Sequence, residues 1–246
     1  MSIMSKQIIT AAVAAVLSSS SAFAATVTQW NFNSNPPDAT STPATGTTSP
    51  SVGAGTIGTV GGVTTPGFSS GNGSSDAAGT FDNSGYQTEG YPSANDAGNK
   101  TAGIEVAVST VGFEDIMVSF DQRHSNTSAN TVRFQYSTDG ITFVDSTQFT
   151  FTPAASGTGD TWYNNRSIDL SSVAAADNNP NFKFRVVSEF DPGTGTYLAS
   201  RSTSTYAGGT YRFDMVTVSG TAAVPEPATL GVIALGSLIA LRRRRA

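Results

Sequence analysis

From Ala102 onward, large apolar residues return at every second position in short runs divided by turn-forming residues, a spacing that admits little but an antiparallel β fold. Ile104, Val106 and Val108 share one face, Ile116, Val118 and Phe120 the next, and Val132, Phe134 and Tyr136 follow. Ser137-Thr138-Asp139-Gly140 then turns the chain into Ile141-Thr142-Phe143-Val144. Gln148 to Phe151, Trp162-Tyr163, Ile168 with Leu170, and Phe182, Phe184 and Val186 continue the meander. Tyr211 to Ser219 closes it with apolar residues in both phases, Phe213 and Met215 in one and Val216 and Val218 in the other. Such a segment is either buried on both faces or carries a bulge near Asp214. Only Ser171 to Ala176 suits a short helical turn, capped by Asp169 or Ser171. The expected fold class is all-β, an antiparallel β-sandwich of jelly-roll type occupying residues 81–221.

Residues 25–80 read differently. Val27, Trp30 and Phe32 in Thr26 to Phe32 predict a first strand that sends an aromatic pair into the core. Beyond it Ser, Thr, Gly and Pro dominate, with prolines at 36, 37, 43, 50 and 66. A stretch so poor in large apolar residues buries little surface, so an arm with one weak strand from Gly55 to Val63 is expected.

Charge excludes one class of partner. Between Ala25 and Val224 there are eight Lys and Arg against seventeen Asp and Glu, which leaves the body at −9. A body this acidic has no phosphate-directed surface, so nucleic acid is not a partner. The chain also has no cysteine, which removes disulfides, thiolate metal sites and Cys nucleophiles and leaves stability to packing and bound ions.

Both ends carry targeting chemistry. Residues 1–24 have the parts of a signal peptide: Lys6 in a positive n-region, an apolar helix from Ile8 to Leu17, and Ala22-Phe23-Ala24 ahead of a cut before Ala25. Residues 222–246 hold Val224-Pro225-Glu226-Pro227 (224–227), an apolar helix (228–241) and a basic tail of Arg242, Arg243, Arg244 and Arg245. As a helix the apolar run would extend only ~21 Å, short of the ~30 Å hydrocarbon core, so it spans the inner membrane marginally. The arginines stay cytoplasmic and the body faces outward.

The Pro-Glu-Pro, the short apolar segment and the terminal arginines resemble the PEP-CTERM sorting signal of Gram-negative bacteria. That resemblance implies recognition of Pro225, Glu226 and Pro227 by an exosortase, after signal peptidase has acted. It further implies C-terminal processing that delivers the protein to the cell surface or extracellular space, and an association with exopolysaccharide and biofilm. More loosely, Asp177 to Arg185 and Tyr211 to Gly220 resemble stretches near the end of jelly-roll modules in bacterial secreted proteins. Similar modules hold a structural calcium ion near their terminal strands, which makes Asp214 the first candidate ligand. Asp82, in Phe81-Asp82-Asn83-Ser84-Gly85, is the second. An ordinary turn carboxylate is the competing reading of both.

No enzyme is expected. His124 is the only histidine; it sits in a polar stretch leaving a strand and reads as a solvated loop residue, with no nucleophile elbow anywhere. Seventeen body carboxylates offer no pair singled out by spacing for glycoside hydrolysis. The leading reading is a non-catalytic exported surface or matrix protein, with a carbohydrate-binding module second and a secreted hydrolase third. Sugar binding needs exposed aromatic platforms, for which Trp162, Tyr197 and Tyr206 are the candidates, with core and rim packing as the alternative roles.

Overall fold

The computed structural model describes residues 24–38, 45–79, 81–94, 98–150 and 160–223. The expected signal helix, except for Ala24, and the sorting segment from Val224 onward with its membrane helix lie outside these residues. Among the described residues no helix is long and apolar enough to cross a membrane. Eleven strands and one turn of 3₁₀ helix make up the regular structure described. They are β1 (Ala24–Trp30), β2 (Thr56–Val60), β3 (Thr64–Ser70), β4 (Ser84–Glu89), β5 (Gly103–Ala107) and β6 (Phe113–His124). After them come β7 (Thr131–Ser137), β8 (Val144–Thr150), β9 (Thr161–Asp169), β10 (Lys183–Glu189) and β11 (Tyr211–Ala222). The 3₁₀ turn covers Ala174–Ala176 and has no side-chain cap; Asp169 accepts from the Ser171 N–H ahead of it.

Two antiparallel sheets face each other. One has the order β3-β4-β11-β6-β9, with β1 also paired to β11, and the other the order β2-β5-β10-β7-β8. Alternation explains the packing: Ile104, Val106, Ile116, Val118, Phe120, Phe134, Ile168, Phe184 and Phe213 are all buried between the sheets. Trp30 and Phe32 join them at 0% exposure.

β11 resolves the two-phase apolar pattern by a bulge. Its pairing with β6 slips between Asp214 and Thr217, and Met215 takes φ 47° there. Tyr211 and Phe213 point inward before the slip, and Val216 and Val218 point inward after it. The same point divides the strand's other edge, where Tyr211 to Phe213 pair with β4 and Val216 to Thr221 pair with β1. Ala24 therefore lies opposite Thr221, and the described chain begins and ends at one end of the sandwich.

The segment expected as an arm supplies two strands. β2 pairs with β5 along its whole length and β3 pairs with β4, one in each sheet. A ladder needs backbone groups in register and not large side chains, so Thr- and Gly-rich stretches form edge strands here. Ile57 and Phe68 are the apolar residues they bring to the core. The expected strand at Ile141 to Val144 also shifts. Asp139 accepts from the Ile141 and Thr142 N–H groups and extends the turn, Ile141 is 83% exposed, and β8 begins only at Val144.

Candidate functional site

Irregularities in three neighbouring strands line up at one place. Opposite the β11 slip, β6 and β9 lose register between Phe120 and Gln122, and Asn165 on β9 takes φ 56°. Asp121 sits at this break and is the cross-strand partner of Asp214. Both are almost fully buried, at 1% and 0% exposure. Like charges directly opposite each other in a sheet repel, and burial removes the water that would screen them. Among the described residues no Lys or Arg forms an ion pair with either.

The loop after β3 closes over the pair. Ser75 N–H donates to Asp121 Oδ2 at 2.5 Å and Asn165 N–H to Oδ1 at 2.7 Å, so Asp121 is held by two backbone amides. Asp214 Oδ1 accepts from the Met215 N–H at 2.7 Å, and the Ser74 hydroxyl stands close to the same carboxyl, although no hydrogen bond of ordinary geometry reaches its buried Oδ2. Asn83, 3% exposed, donates through Nδ2 to Ser74 Oγ at 3.3 Å, and its Oδ1 is also buried without a partner. Gly71 lets these two oxygens approach: a Cβ there would overlap Asn83 Oδ1 and stand 2.9 Å from Asp214 Oδ2. Burial pushes the Asp214 carboxyl up to about 8, the neighbouring Ser74 hydroxyl and Met215 amide temper the rise, and the charges of Asp76 and Asp121 add to it.

The structure distributes the expected site residues unevenly. Asp214 is in this cluster. Asp82 is not: its Oδ1 accepts from Ser34 Oγ at 2.8 Å and from the Asp38 N–H at 3.3 Å, on the wall of a separate polar cleft of about 500 Å³. The residue that does face Asp214 is its neighbour, Asn83. Asp121, Asn83, Ser74 and Gly71 escaped the sequence reading; a polar Asp121-Gln122 pair inside an apolar strand was the available signal.

Tyr197 and Tyr206 are not exposed platforms, contrary to expectation. They are buried at 2% and 7% exposure and stack on each other at 4.9 Å. Their hydroxyls donate to Gly98 O at 3.1 Å and Pro92 O at 2.7 Å. The Gly- and Ser-rich connection before β11 folds back over the open end of the sandwich and needs these rings as its own core. Trp162 is half-buried against the backbone of Gly73 and Gly85. Of the residues around the expected signal cleavage, Ala22 lies outside the described residues, while Ala24 and Ala25 open β1.

His124 is a further correction, because β6 continues through it and Tyr211 pairs with it, leaving it 0% exposed. Its Nδ1 lies 3.1 Å from both Ala129 O and Ser200 Oγ, and its ring packs edge-on to Tyr211 at 4.9 Å. Ser200 is itself 0% exposed and its hydroxyl also bonds Ser128, so this serine–histidine contact is a closed packing element with no approach for a substrate. Burial, with the Arg166 charge adding, holds the imidazole well below 6.5. The folded protein therefore carries His124 neutral, while the unfolded chain takes up a proton near 6.5. Below that pH the unfolded state binds the extra proton, so stability is lost as pH falls, by up to about 1.4 kcal/mol per pH unit, until the depressed folded value is reached. In His124→Gln, which keeps a hydrogen-bonding amide, this loss should vanish from denaturation midpoints measured between pH 7.5 and 5. Equal slopes in the two proteins would show that His124 does not titrate on unfolding.

Residues 223–245 match the family model described as the PEP-CTERM protein-sorting motif. No curated protein matches the chain. Among solved structures, the chain is similar to the K1 cleaved adhesin domain of Lys-gingipain from Porphyromonas gingivalis W83. The identity is 16% over 70% of this chain and 100% of that one, with a TM-score of 0.37. It is also similar to the K3 cleaved adhesin domain of the same protein, at 12% identity over 58% of this chain and 78% of that one, with a TM-score of 0.31.

Proposed function

We propose that this chain, which carries a PEP-CTERM sorting signal and so is exported through the membrane and processed by an exosortase to the cell surface or extracellular space, serves there as a non-catalytic β-sandwich of the extracellular polysaccharide matrix. The observation that carries the reading is the junction between body and signal. β11 ends at Ala222, the Ala223 N–H donates to Gly112 O at 2.8 Å, and the matched motif starts at 223. The last ladder pair, Ala222 with Phe113, therefore precedes the Pro-Glu-Pro in the chain, as a cut near that motif requires if the body is to stay folded. Signal peptidase is the expected partner at the other end. A cut before Ala25 removes Ala24 and keeps the Ala25 pairing with Gly220, so β1 survives maturation. Both processed ends then leave the same end of the sandwich, and the β6–β7 and β10–β11 connections at the opposite end face away from the membrane.

The order β4-β11-β6-β9 over β5-β10-β7-β8 supports reading the eight strands as a jelly roll with β1, β2 and β3 added to its edges. The matrix link rests on the polar cleft, where Asn31, Ser34, Asn35 and Asp82 offer the amides, hydroxyl and carboxylate that sugar hydroxyls bond. Phe81, beside Asp82 in the chain, is 55% exposed and offers a ring face.

Intact-mass measurement of the surface form in the producing bacterium tests the reading. The expected species begins at Ala25 and lacks Arg242 to Arg245, and deletion of Pro225 to Pro227 should leave an unprocessed, membrane-associated chain. A surface form that keeps its arginines would reduce the segment to an ordinary anchor. Failure of the processed protein to be retained on any matrix polymer would remove the polysaccharide link.

A further inference from the structure

We propose that the outer face of the first sheet carries a binding row for a sugar carboxylate, with Arg212 and Arg123 as its two guanidinium groups, Gln87 at one end and Trp162 at the other. Strand register assembles it: Gln87 on β4 lies opposite Arg212 on β11, Arg212 opposite Arg123 on β6, and Arg123 opposite Trp162 on β9. Tyr211 and Phe213 on either side of Arg212 are buried between the sheets, so alternation turns Arg212 and its row outward. Like charges directly opposite each other in a sheet repel. The second sheet sets Glu105 opposite Arg185 instead, with an ion pair at 2.6 Å. Arg212 forms no ion pair with any described carboxylate, and Arg123 has only Asp160, at 2.8 Å and 44% exposed. Burial, and after it the Arg123 charge, lowers Arg212 to about 10, which leaves it charged at neutral pH.

The neighbouring groups define the ligand. Arg212 donates through Nε to Gln87 Oε1 at 3.0 Å and through Nη1 to Ser70 O at 3.1 Å, which fixes the guanidinium and leaves N–H groups over for a planar acceptor. A carboxylate between two guanidinium groups takes charge-assisted bonds from both and removes their repulsion. Gln87 spends its oxygen on Arg212, so its amide nitrogen is the end presented to a sugar oxygen. Gly85 opens the floor: a Cβ there would stand 3.2 Å from Trp162 Cη2 and 3.4 Å from Arg212 Cβ. The half-buried indole thus borders the arginines and offers apolar surface to the C–H face of a ring. Four strands spread these groups over ~14 Å, the reach of an extended chain and not of a single ion. The choice of a polysaccharide over a peptide rests on the matrix role proposed above. An acidic body repels densely charged polymers, so the chain that fits carries isolated uronate residues among neutral sugars.

The test titrates the full-length protein in detergent at about pH 7.5 with a neutral tetrasaccharide bearing one glucuronate, with its carboxyl-reduced counterpart, and with a blocked pentapeptide bearing one glutamate. The chain has two tryptophans and Trp30 is fully buried, so a change in indole emission reports Trp162. The glucuronate probe should bind and shift that emission, and the reduced probe should bind roughly tenfold more weakly or worse. Raising salt from about 0.05 to about 0.5 M should weaken the acid several-fold. Arg212→Gln should lose roughly tenfold in affinity for the acid at an unchanged melting temperature, which also shows that the C-terminal arginines are not the binders. Asp160→Asn frees Arg123 and should bind the acid about threefold more tightly, a gain that a misfolded variant cannot give. Equal affinity for the reduced probe would overturn carboxylate recognition, and equal affinity for the peptide would overturn the assignment to a sugar. Absence of acid binding by both the parent and Asp160→Asn would overturn the site, whereas the matrix role falls separately, only if neutral and acidic matrix polymers alike fail to retain the protein.

Discussion

Replacing Trp30 with alanine is expected to destabilise the folded protein by about 3–5 kcal/mol. Trp30 closes β1 opposite Val216 of β11 and is fully buried. Its Nε1 donates to Thr48 O at 2.9 Å, and its Cη2 lies 2.8 Å from the point a Cβ on Gly55 would occupy. One side chain thus fills the core beneath the first sheet and pins the 45–55 segment that leads into β2. Alanine opens a cavity that the neighbouring strands cannot collapse into, because Gly55 is already against the ring, and it leaves the Thr48 carbonyl without its donor. Trp30→Phe keeps most of the apolar volume and loses only the N–H, for roughly 1–2 kcal/mol. Guanidinium denaturation of the processed protein measures both. A loss below about 1 kcal/mol in the alanine variant would mean that the 45–55 segment holds to the sheet by other contacts.

Strands whose side chains alternate between large apolar and polar residues were legible in advance. β5, β6, β7 and β10 lie where Ile104, Ile116, Val132 and Phe182 set the phase, and the bulge in β11 was visible as a break of that phase at Asp214. β3 and β4 were not legible, and β2 was legible only as the weak strand expected at Gly55 to Val63, for a common physical reason. Thr56–Val60, Thr64–Ser70 and Ser84–Glu89 earn their place through backbone pairing with strands far along the chain, and Thr, Ser and Gly broadcast no phase. The sequence also misled where aromatics sat in loop-like surroundings. Tyr206 is buried through a bond to Pro92, 114 residues earlier, and no local pattern reports such a partner.

The candidate site was half legible for the same reason. Asp214 was singled out by the resemblance to jelly-roll modules and by the break of apolar phase beside it. Asp121 and Asn83 join it only through the register of β6 and the closure of the loop at Gly71, which are properties of the assembled sheet. Asp82 and Asn83 differ by one residue in phase: Asp82 belongs to the loop, while Asn83 leads directly into β4 and turns toward β11.

Arg133→Ala is expected to cost about 3 kcal/mol, the low end for breaking a buried ion pair. Its guanidinium donates to Glu189 Oε2 at 3.0 Å and Oε1 at 2.7 Å, and to Ser146 O at 2.7 Å, so it links β10, β7 and β8. Glu189's side chain is only 6% exposed and Arg133's 17%, and Lys100 at 3.4 Å is the second cation within reach of Glu189. Removing Arg133 leaves a buried carboxylate with one distant partner, which is where most of the cost arises. Arg133→Met with Glu189→Leu should therefore recover most of the loss, since neither charge then remains to be desolvated. Burial also predicts that the coupling is nearly insensitive to salt, unlike the Lys100–Asp145 pair, whose carboxylate is 41% exposed. Lys100, Arg133, Lys183 and Arg185, half of the body's eight cations, are all matched to carboxylates on this outer face of the second sheet. The first sheet carries Arg123, Arg166 and Arg212, which are directed to Asp160, Gln122 and Gln87 and form no ion pair with Asp121 or Asp214. A double-mutant cycle read by chemical denaturation in low and high salt decides the point: a coupling below about 0.5 kcal/mol would make Arg133–Glu189 an ordinary surface pair.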